Sequence, residues 1–176
     1  MALIFSTDRL LISHLEAAHF EDFLKMNQDE EIMKYYPNLL SKQETIDFFD
    51  RVNNHFKQHG FSFYAVSLKS TQQFIGCTGF MIPTFEAYFT PCVEIGWRYQ
   101  KEYWGKGYAT EGANACLKYG KEQLKFKEVV SMTSVQNKKS EAVMQKIGMQ
   151  KQGNFLHPKL DQAHWLSEHV LYSIEL

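Results

Sequence analysis

The sequence predicts a mixed α/β domain whose sheet is covered by helices on both faces. Segments with strand-like alternation are separated by segments with helical spacing, in the order strand, helices, antiparallel hairpin, strand, helix, strand, helix and two strands. The 176 residues suffice for one hydrophobic core, and 44% hydrophobic with 22% charged residues is typical of a folded globular protein. We therefore expect residues 1–176 to form a single domain.

The first half of the chain alternates between strand and helix signals. Pro37 stops one helical stretch, while Ser41 with Glu44 forms a capping box that begins the next, which Gly60 ends. Two β-rich runs flank a short polar segment, which predicts a hairpin. The predicted elements are a first strand over 3–15 broken at Thr7-Asp8, one or two helices over 17–36, a helix between Ser41 and Gly60, and hairpin strands over 61–68 and 74–81.

The second half repeats the pattern around a glycine-rich turn. Apolar residues from Ala109 to Leu124 share one helical face, and Gly148 ends a later helix. The predicted elements are a strand over 93–99, a helix over 109–124, a strand over 128–135, a helix over 138–147, and strands over 149–156 and 167–175.

Charge and cysteine content exclude several classes of protein. A formal net charge of -1 provides no overall field for a nucleic acid. Cys77, Cys92 and Cys116 are odd in number and widely spaced, which favours a reducing compartment over a disulfide framework or a zinc site, and the histidines suggest no metal site either. No segment approaches the roughly 18 apolar residues of a membrane span. We expect a cytoplasmic protein with no metal.

The turn between the strand over 93–99 and the helix after it is a candidate phosphate site. Its segment, residues 104–111, has small residues that let backbone amides approach a ligand at a helix N-terminus. A P-loop would need Ser or Thr after Lys106, but Gly107 follows; a dinucleotide fingerprint would need Gly in place of Thr110. An ordinary tight turn is the alternative.

This segment resembles the coenzyme A pyrophosphate loop of the GNAT superfamily of N-acetyltransferases. The family pattern is Arg or Gln, two residues, Gly, one residue, and Gly or Ala; Gly107 and Ala109 occupy its last two fixed places. Trp104 stands where Arg or Gln is usual, a departure that resembles ribosomal-protein N-terminal acetyltransferases acting on alanine or serine. Residues 137–149, the opening 7–10 and the closing 168–172 resemble the same branch, so the likeness spans the chain.

The resemblance implies a GNAT fold: a mixed, mostly antiparallel sheet with a splayed central parallel strand pair. Acetyl-CoA would be the co-substrate, with its pantetheine arm in the gap of that pair, and the amine would attack the thioester directly in a ternary complex. No nucleophilic cysteine is then required. The implied coenzyme-binding residues are Ile95, Gly96, Trp97, Trp104, Gly105, Lys106, Gly107, Tyr108, Ala109, Thr110, Asn137 and Ser140.

Three residues are candidates for catalysis. Glu94 matches a family position whose carboxylate removes the amine proton; its alternative is a solvated strand-end residue or a partner of Arg98. Asn137 is implied to bind pantetheine or substrate backbone and can also cap a helix. Ser140 is implied to donate to the departing thiolate, or is an ordinary first-turn residue. Tyr172 is a further thiolate donor, with a core position as its alternative.

The acceptor is predicted to be the α-amine at a protein or peptide N-terminus, because the branch resemblance points there. One alternative is a small amine such as a polyamine, an aminoglycoside or an amino acid. A polyamine or aminoglycoside would need an acidic pocket, for which the loop residues Glu30, Glu31 and Glu86 are candidates. The other alternative is a non-catalytic coenzyme A-binding sensor. The expected assembly is a monomer or a homodimer.

Overall fold

The computed structural model describes residues 2–176, in which eight strands form one twisted sheet. The sheet order is β1-β2-β3-β4-β5-β6-β8-β7, and only the β5–β6 pair is parallel. The expectation of a mixed, mostly antiparallel sheet is therefore confirmed. The strands are β1 Leu3–Ser6, β2 Leu10–His14, β3 Phe63–Leu68, β4 Phe74–Met81, β5 Glu94–Tyr99, β6 Glu128–Ser134, β7 Gln150–Leu156 and β8 Glu168–Glu175.

Helices pack on both faces of this sheet. One face carries α1 and α2, which cover a core of Leu15, Phe23, Met26, Phe49 and Val52. The other face carries α3 and α4, which cover the larger core around Leu10, Tyr64, Phe80 and Ile95. Alternation along the strands divides the side chains between the two faces. The helices are α1 Phe20–Gln28, α2 Lys42–His59, α3 Tyr108–Glu122 and α4 Lys138–Lys146, with short 3-10 turns at Ala17–His19 and Lys101–Tyr103.

Most predicted elements are present within one or two residues, but the first strand was predicted wrongly. Residues 3–15 form two antiparallel strands, not one broken strand. The backbone N–H of Thr7 donates to the Leu10 carbonyl at 2.9 Å, and the Leu10 N–H donates to the Thr7 hydroxyl, also at 2.9 Å. This pair of bonds closes a tight turn at the break, so the chain reverses there.

The helix predicted up to Pro37 is also shorter than expected. It ends at Gln28 because the Asp29 carboxylate accepts hydrogen bonds from the backbone N–H groups of Glu31 and Ile32. Such a side-chain turn offers the backbone an alternative to the helix. Residues 30–36 therefore form a turn that lies against the α1–α2 face.

The parallel pair at the centre of the sheet separates after its first contact. Glu94 is the only residue of β5 in register with β6, where it pairs with Val130. The N–H of Val130 donates to the Val93 carbonyl at 2.9 Å, and the Ser131 hydroxyl donates to the Ile95 carbonyl at 2.9 Å. Towards the carboxyl ends of the two strands a gap opens, while β4 and β8 hold the outer sides.

No helix among residues 2–176 is both long and apolar enough to cross a membrane.

A close contact between α3 and β5 allows a direct test of this packing. A methyl group on Gly112 would lie 2.5 Å from the buried Tyr99 hydroxyl, which has no hydrogen-bond partner. Gly112→Ala should therefore lower the free energy of unfolding by about 1–2 kcal/mol. In a Tyr99→Phe background the same change should instead stabilise by up to about 1 kcal/mol, through helix propensity. Urea unfolding of the four proteins measures both effects; equal costs in the two backgrounds would contradict the contact.

Candidate active site

The gap between β5 and β6 exposes backbone polar groups on one edge of β5. The carbonyl of Ile95 points towards β6, as its bond to Ser131 shows. By strand alternation the N–H and C=O of Trp97 point the same way, and β6 offers them no partner. Gly96 differs, because its carbonyl accepts from the Thr78 hydroxyl at 3.1 Å on the β4 side. Ile95 and Trp97, but not Gly96, thus direct backbone groups into the gap.

The glycine-rich turn follows β5 and leads into α3 at the open end of the gap. Gly107 is the N-cap, with φ of 83° in the left-handed region, and no side chain caps the helix. The N–H of Glu111 is the first to bond within the helix, to the Gly107 carbonyl. The amides of Tyr108, Ala109 and Thr110 are therefore left without helical acceptors. Uncapped amides at a helix N-terminus suit an anion.

The structure changes the reason for glycine at 107. A Cβ atom there would lie 3.4 Å from Nη2 of Arg9, behind the turn. The positive φ, which L side chains rarely adopt, is the stronger requirement. A substituted residue would distort the turn that aims the amides.

Arg9 and Glu111 hold this turn in place through side-chain hydrogen bonds, which the sequence analysis did not predict. Arg9 donates from Nη1 to the Lys106 carbonyl at 3.0 Å and from Nε to Glu111 at 2.6 Å, and its guanidinium lies 4.4 Å from the centre of the Tyr108 ring. The Thr7 hydroxyl also donates to Glu111. Burial opposes ionisation of Glu111, but the hydrogen bonds from Thr7 and Arg9 outweigh it and lower its pKa. We call this set the Arg9–Glu111 clasp.

Trp104 folds back onto the strand instead of pointing outwards. Its indole N–H donates to the Tyr99 carbonyl at 2.8 Å, which satisfies the last carbonyl of β5. The ammonium group of Lys139 lies 4.3 Å from the centre of the indole ring. Lys139 belongs to α4, so this cation–π contact joins the two sides of the gap and brings a positive charge near the turn.

Asn137 and Ser140 lie across the gap at the start of α4. The Asn137 side chain accepts from the Ser140 N–H at 3.2 Å and donates to the Thr133 hydroxyl at 3.1 Å, so its capping role is present. The indole N–H of Trp97 donates to the Ser140 hydroxyl oxygen at 3.0 Å. Because this bond uses a lone pair of the oxygen, the Ser140 O–H remains free to donate.

Glu94 stands at the point where the two strands separate. It lies on the α1–α2 face of the sheet, and its carboxyl forms no ion pair with Arg98 or with any other cation among residues 2–176. Burial raises its pKa from near 4.5 to about 7. The carboxyl is therefore close to half ionised at neutral pH, which suits a group that takes up a proton.

A cavity of about 360 Å³ lies beside Glu94 on the same side of the splayed pair. Val93 and Val130 line it, and Val130 is the register partner of Glu94. The remaining walls come from the loop before β5 and from the outer strands. They are Tyr88, Phe89, Pro91, Cys92, Glu128, Gln152, Leu171 and Ser173.

The surroundings of the three cysteine thiols do not activate them as nucleophiles. Cys77 and Cys116 are buried, and burial raises the pKa of Cys116 to about 12. Burial, together with the nearby charges of Glu94 and Glu128, raises the pKa of Cys92 to about 11. All three thiols should stay protonated near neutral pH.

Tyr172 occupies a core position. It is 3% exposed, and its hydroxyl donates to Glu141 and accepts from Gln145, each at 3.1 Å. Both capacities of the hydroxyl are thus used within the protein. Of the two alternatives for Tyr172, thiolate donor or core residue, the structure supports the core residue.

Two histidines lie four residues apart on α2, so the expectation that no histidine pair has a metal-like helical spacing was wrong. The rings of His55 and His59 lie 4.5 Å apart. However, His55 Nδ1 bonds to the Phe61 carbonyl at 2.8 Å, and Nε2 accepts from the Ile82 N–H at 3.1 Å. Within residues 2–176, no group of three or more His, Cys, Asp or Glu side chains could hold a metal ion.

Comparison with known proteins identifies the relatives of this architecture. The profile of the acetyltransferase (GNAT) domain matches residues 9–150. The chain is 30% identical over 170 residues to the uncharacterized N-acetyltransferase YnaD of Bacillus subtilis, covering 97% of this chain and 96% of that one. The crystal structure of a GNAT-family acetyltransferase from Bacillus anthracis matches with a TM-score of 0.79 at 27% identity, over 99% of this chain and 98% of that chain.

Two more distant structures share the fold but differ in their acceptors. A ribosomal-protein-S5-alanine acetyltransferase from Vibrio fischeri has a TM-score of 0.76 at 15% identity, over 97% of this chain and 95% of that one. A spermidine N-acetyltransferase from Vibrio cholerae, in complex with CoA and spermine, has a TM-score of 0.76 at 19% identity, over 96% of each chain. These likenesses concern the fold alone.

The Arg9–Glu111 clasp makes a prediction about the turn. Arg9→Met should weaken coenzyme A binding about tenfold, because the turn loses the donors that hold the Lys106 carbonyl and Glu111. Isothermal titration calorimetry measures the affinity. Lys25→Met, which removes the exposed Lys25–Asp22 ion pair on α1, is the matched control and should leave affinity unchanged. An unaltered Kd in Arg9→Met would contradict a positioning role.

Proposed function

Because the chain belongs to the GNAT acetyltransferase family, we propose that it transfers an acetyl group from acetyl-CoA to the α-amine at the N-terminus of a peptide or protein. The observation that carries the proposal is the convergence of three features on one gap. These are the edge of β5 at Trp97, which has no partner on β6, the uncapped amides of α3, and Glu94 at the point where the strands separate.

The residues around the gap fit coenzyme A. The amides of residues 108–110 would bind the pyrophosphate, and the backbone of Trp97, with the second lone pair of the Ile95 carbonyl, would bond the extended pantetheine arm. Lys139, whose ammonium group lies over Trp104, would add a positive charge near the phosphates. Acetyl-CoA supplies the acetyl group as an activated thioester.

Glu94 is proposed as the base that accepts the proton of the acceptor amine, directly or through water. Its pKa of about 7 is close to that of an α-amine, near 8, so the proton passes between groups of similar affinity. An α-amine is already about 10% neutral at pH 7, whereas a lysine-like amine is neutral to about 0.04%. This carboxylate is therefore better matched to an α-amine than to a lysine-like one.

Ser140 is proposed to donate a hydrogen bond to the departing sulfur. The bond from Trp97 holds the hydroxyl oxygen and leaves its proton available. A serine hydroxyl is a weak acid, so it stabilises the thiolate and does not protonate it. Asn137 contributes by fixing the backbone of Ser140.

The charges of the acceptor side support a peptide over a polycation. Glu30, Glu31 and Glu86 are all exposed, so none of them forms a buried acidic pocket. Arg98, which is 8% exposed, instead places a positive charge on the face that carries Glu94. A polyamine would find little attraction there.

A small amine is the second candidate, favoured by the cavity beside Glu94. Its volume of about 360 Å³ would hold a compact molecule, and Glu128 and Tyr88 in its walls could contact a cation.

We further propose that residues 1–176 act as one catalytic domain, since strands from Leu3 to Glu175 share one sheet. The expected cytoplasmic location, the absence of a metal, and a monomeric or homodimeric state remain predictions.

Thiol release from acetyl-CoA across an acceptor panel tests the proposal. The panel holds peptides with Ala, Ser or Met at the N-terminus, the same peptides with a blocked α-amine, spermidine, an aminoglycoside and free amino acids. Release with the free peptides alone is expected. Release with a small amine alone would shift the assignment to the second candidate, and silence with confirmed coenzyme binding would favour a sensor.

The pH dependence of turnover tests Glu94. For the wild type, kcat/KM should rise with pH through about 7, as Glu94 loses its proton, and again near the pKa of the substrate amine, about 8. Glu94→Gln should remove the lower step and reduce kcat/KM by on the order of 10²-fold at pH 7. Persistence of the step near pH 7 in this variant would show that another group is the base.

A further inference from the structure

We propose that Arg98 binds a carboxylate of the acceptor, so that the preferred substrate is a peptide with Asp or Glu at its second or third position. This inference rests on the proposed function. It names a specificity residue and narrows the class of acceptor from any N-terminus to an acidic one.

The first observation is that Arg98 has no anionic partner. Among residues 2–176 its guanidinium forms no ion pair, although the side chain is 8% exposed. Nη1 donates to the Met33 sulfur, a weak acceptor, at 3.0 Å, and Nε is buried with no hydrogen-bond partner. Buried charges in proteins are usually paired, so this cation retains unused capacity for an anion.

Aromatic rings around Arg98 compensate only part of the lost hydration. The guanidinium carbon lies 4.8 Å from the ring centre of Phe23, 5.1 Å from that of Tyr36 and 5.7 Å from that of Phe48. Cation–π contacts hold a guanidinium in a fixed place without using its N–H donors. The cage therefore positions the group and leaves for a carboxylate those N–H donors that do not contact the Met33 and Cys77 sulfurs.

The second observation is the placement of Arg98 relative to Glu94. The two residues are four apart on β5, hence on the same face, with Cα atoms about 13 Å apart. The two side chains form no ion pair, so an acceptor that contacts both must bridge the space between them. A peptide with an acidic side chain two or three residues from its amine has the reach to do so, and fits this spacing better than a free amino acid.

Tyr36 contacts Arg98 and is partly exposed to solvent. Burial raises the pKa of its hydroxyl; the charge of Arg98 opposes this rise, and that of Glu94 adds to it. Both Arg98 and Glu94 thus lie within electrostatic reach of one hydroxyl. The Tyr36 residue as a whole is 43% exposed, so part of it faces solvent beside Arg98. A peptide entering beside Tyr36 would meet both charges.

The test compares peptides that differ only in charge. Thiol release is measured for Ala-Glu-, Ala-Ala-Glu-, Ala-Gln- and Ala-Ala-Gln-peptides with amidated C-termini, using wild type, Arg98→Met and Arg51→Met. Arg51 is the control because it lies 5.1 Å from the Phe48 ring but is exposed on α2. Wild type and Arg51→Met should prefer one glutamate peptide by about tenfold in kcat/KM, and Arg98→Met should lose that preference.

Three results would overturn the inference. They are equal rates for glutamate and glutamine peptides in the wild type, a preference for glutamine, or an unchanged glutamate preference in Arg98→Met. The wild-type comparison decides even if Arg98→Met fails to fold. Absence of turnover with every peptide would instead overturn the proposed peptide acceptor, so the two failures are distinguishable.

Discussion

The separation of β5 from β6 is the constraint on which the rest of the site depends. Two parallel strands that stayed paired would satisfy each other's backbone groups and leave no edge for a ligand. Here the pairing stops at Glu94 and Val130, and the Ser131 hydroxyl donates to the Ile95 carbonyl where the strands separate. The antiparallel neighbours β4 and β8 pair with β5 and β6 along their full lengths, so the sheet stays continuous around the gap.

The two faces of the sheet have different proposed roles. On the α3–α4 side, uncapped amides, Lys139 and the Ser140 hydroxyl provide donors for an anionic, extended ligand. On the α1–α2 side, Glu94 and Arg98 are two partly or fully buried charges with no ion-pair partner among residues 2–176. Unpaired buried charges cost stability, and they persist most often where function requires them. The gap between the strands joins the two sides at Glu94.

The sequence predicted local features well because caps, hairpins and glycine turns leave short-range signals. The Ser41–Glu44 capping box and the helix end at Gly60 are both present. It did not predict the Arg9–Glu111 clasp, which joins residues 102 apart. It also did not predict that the side-chain turn of Asp29 ends α1, because the helical spacing of apolar residues continues past that point. Glu94 was left open between base and ion-pair partner, since only the fold shows that Arg98 turns into the aromatic cage.

Amide hydrogen exchange with and without acetyl-CoA tests the central claim, that the splayed edge of β5 and the start of α3 together hold the coenzyme. NMR assignment gives the exchange rate of each amide. Acetyl-CoA should slow exchange at Trp97 and at residues 108–110, while exchange at the outer strands β1 and β7 should be unchanged. Protection confined to the cavity residues around Tyr88, or none at Trp97 despite saturating acetyl-CoA, would contradict it.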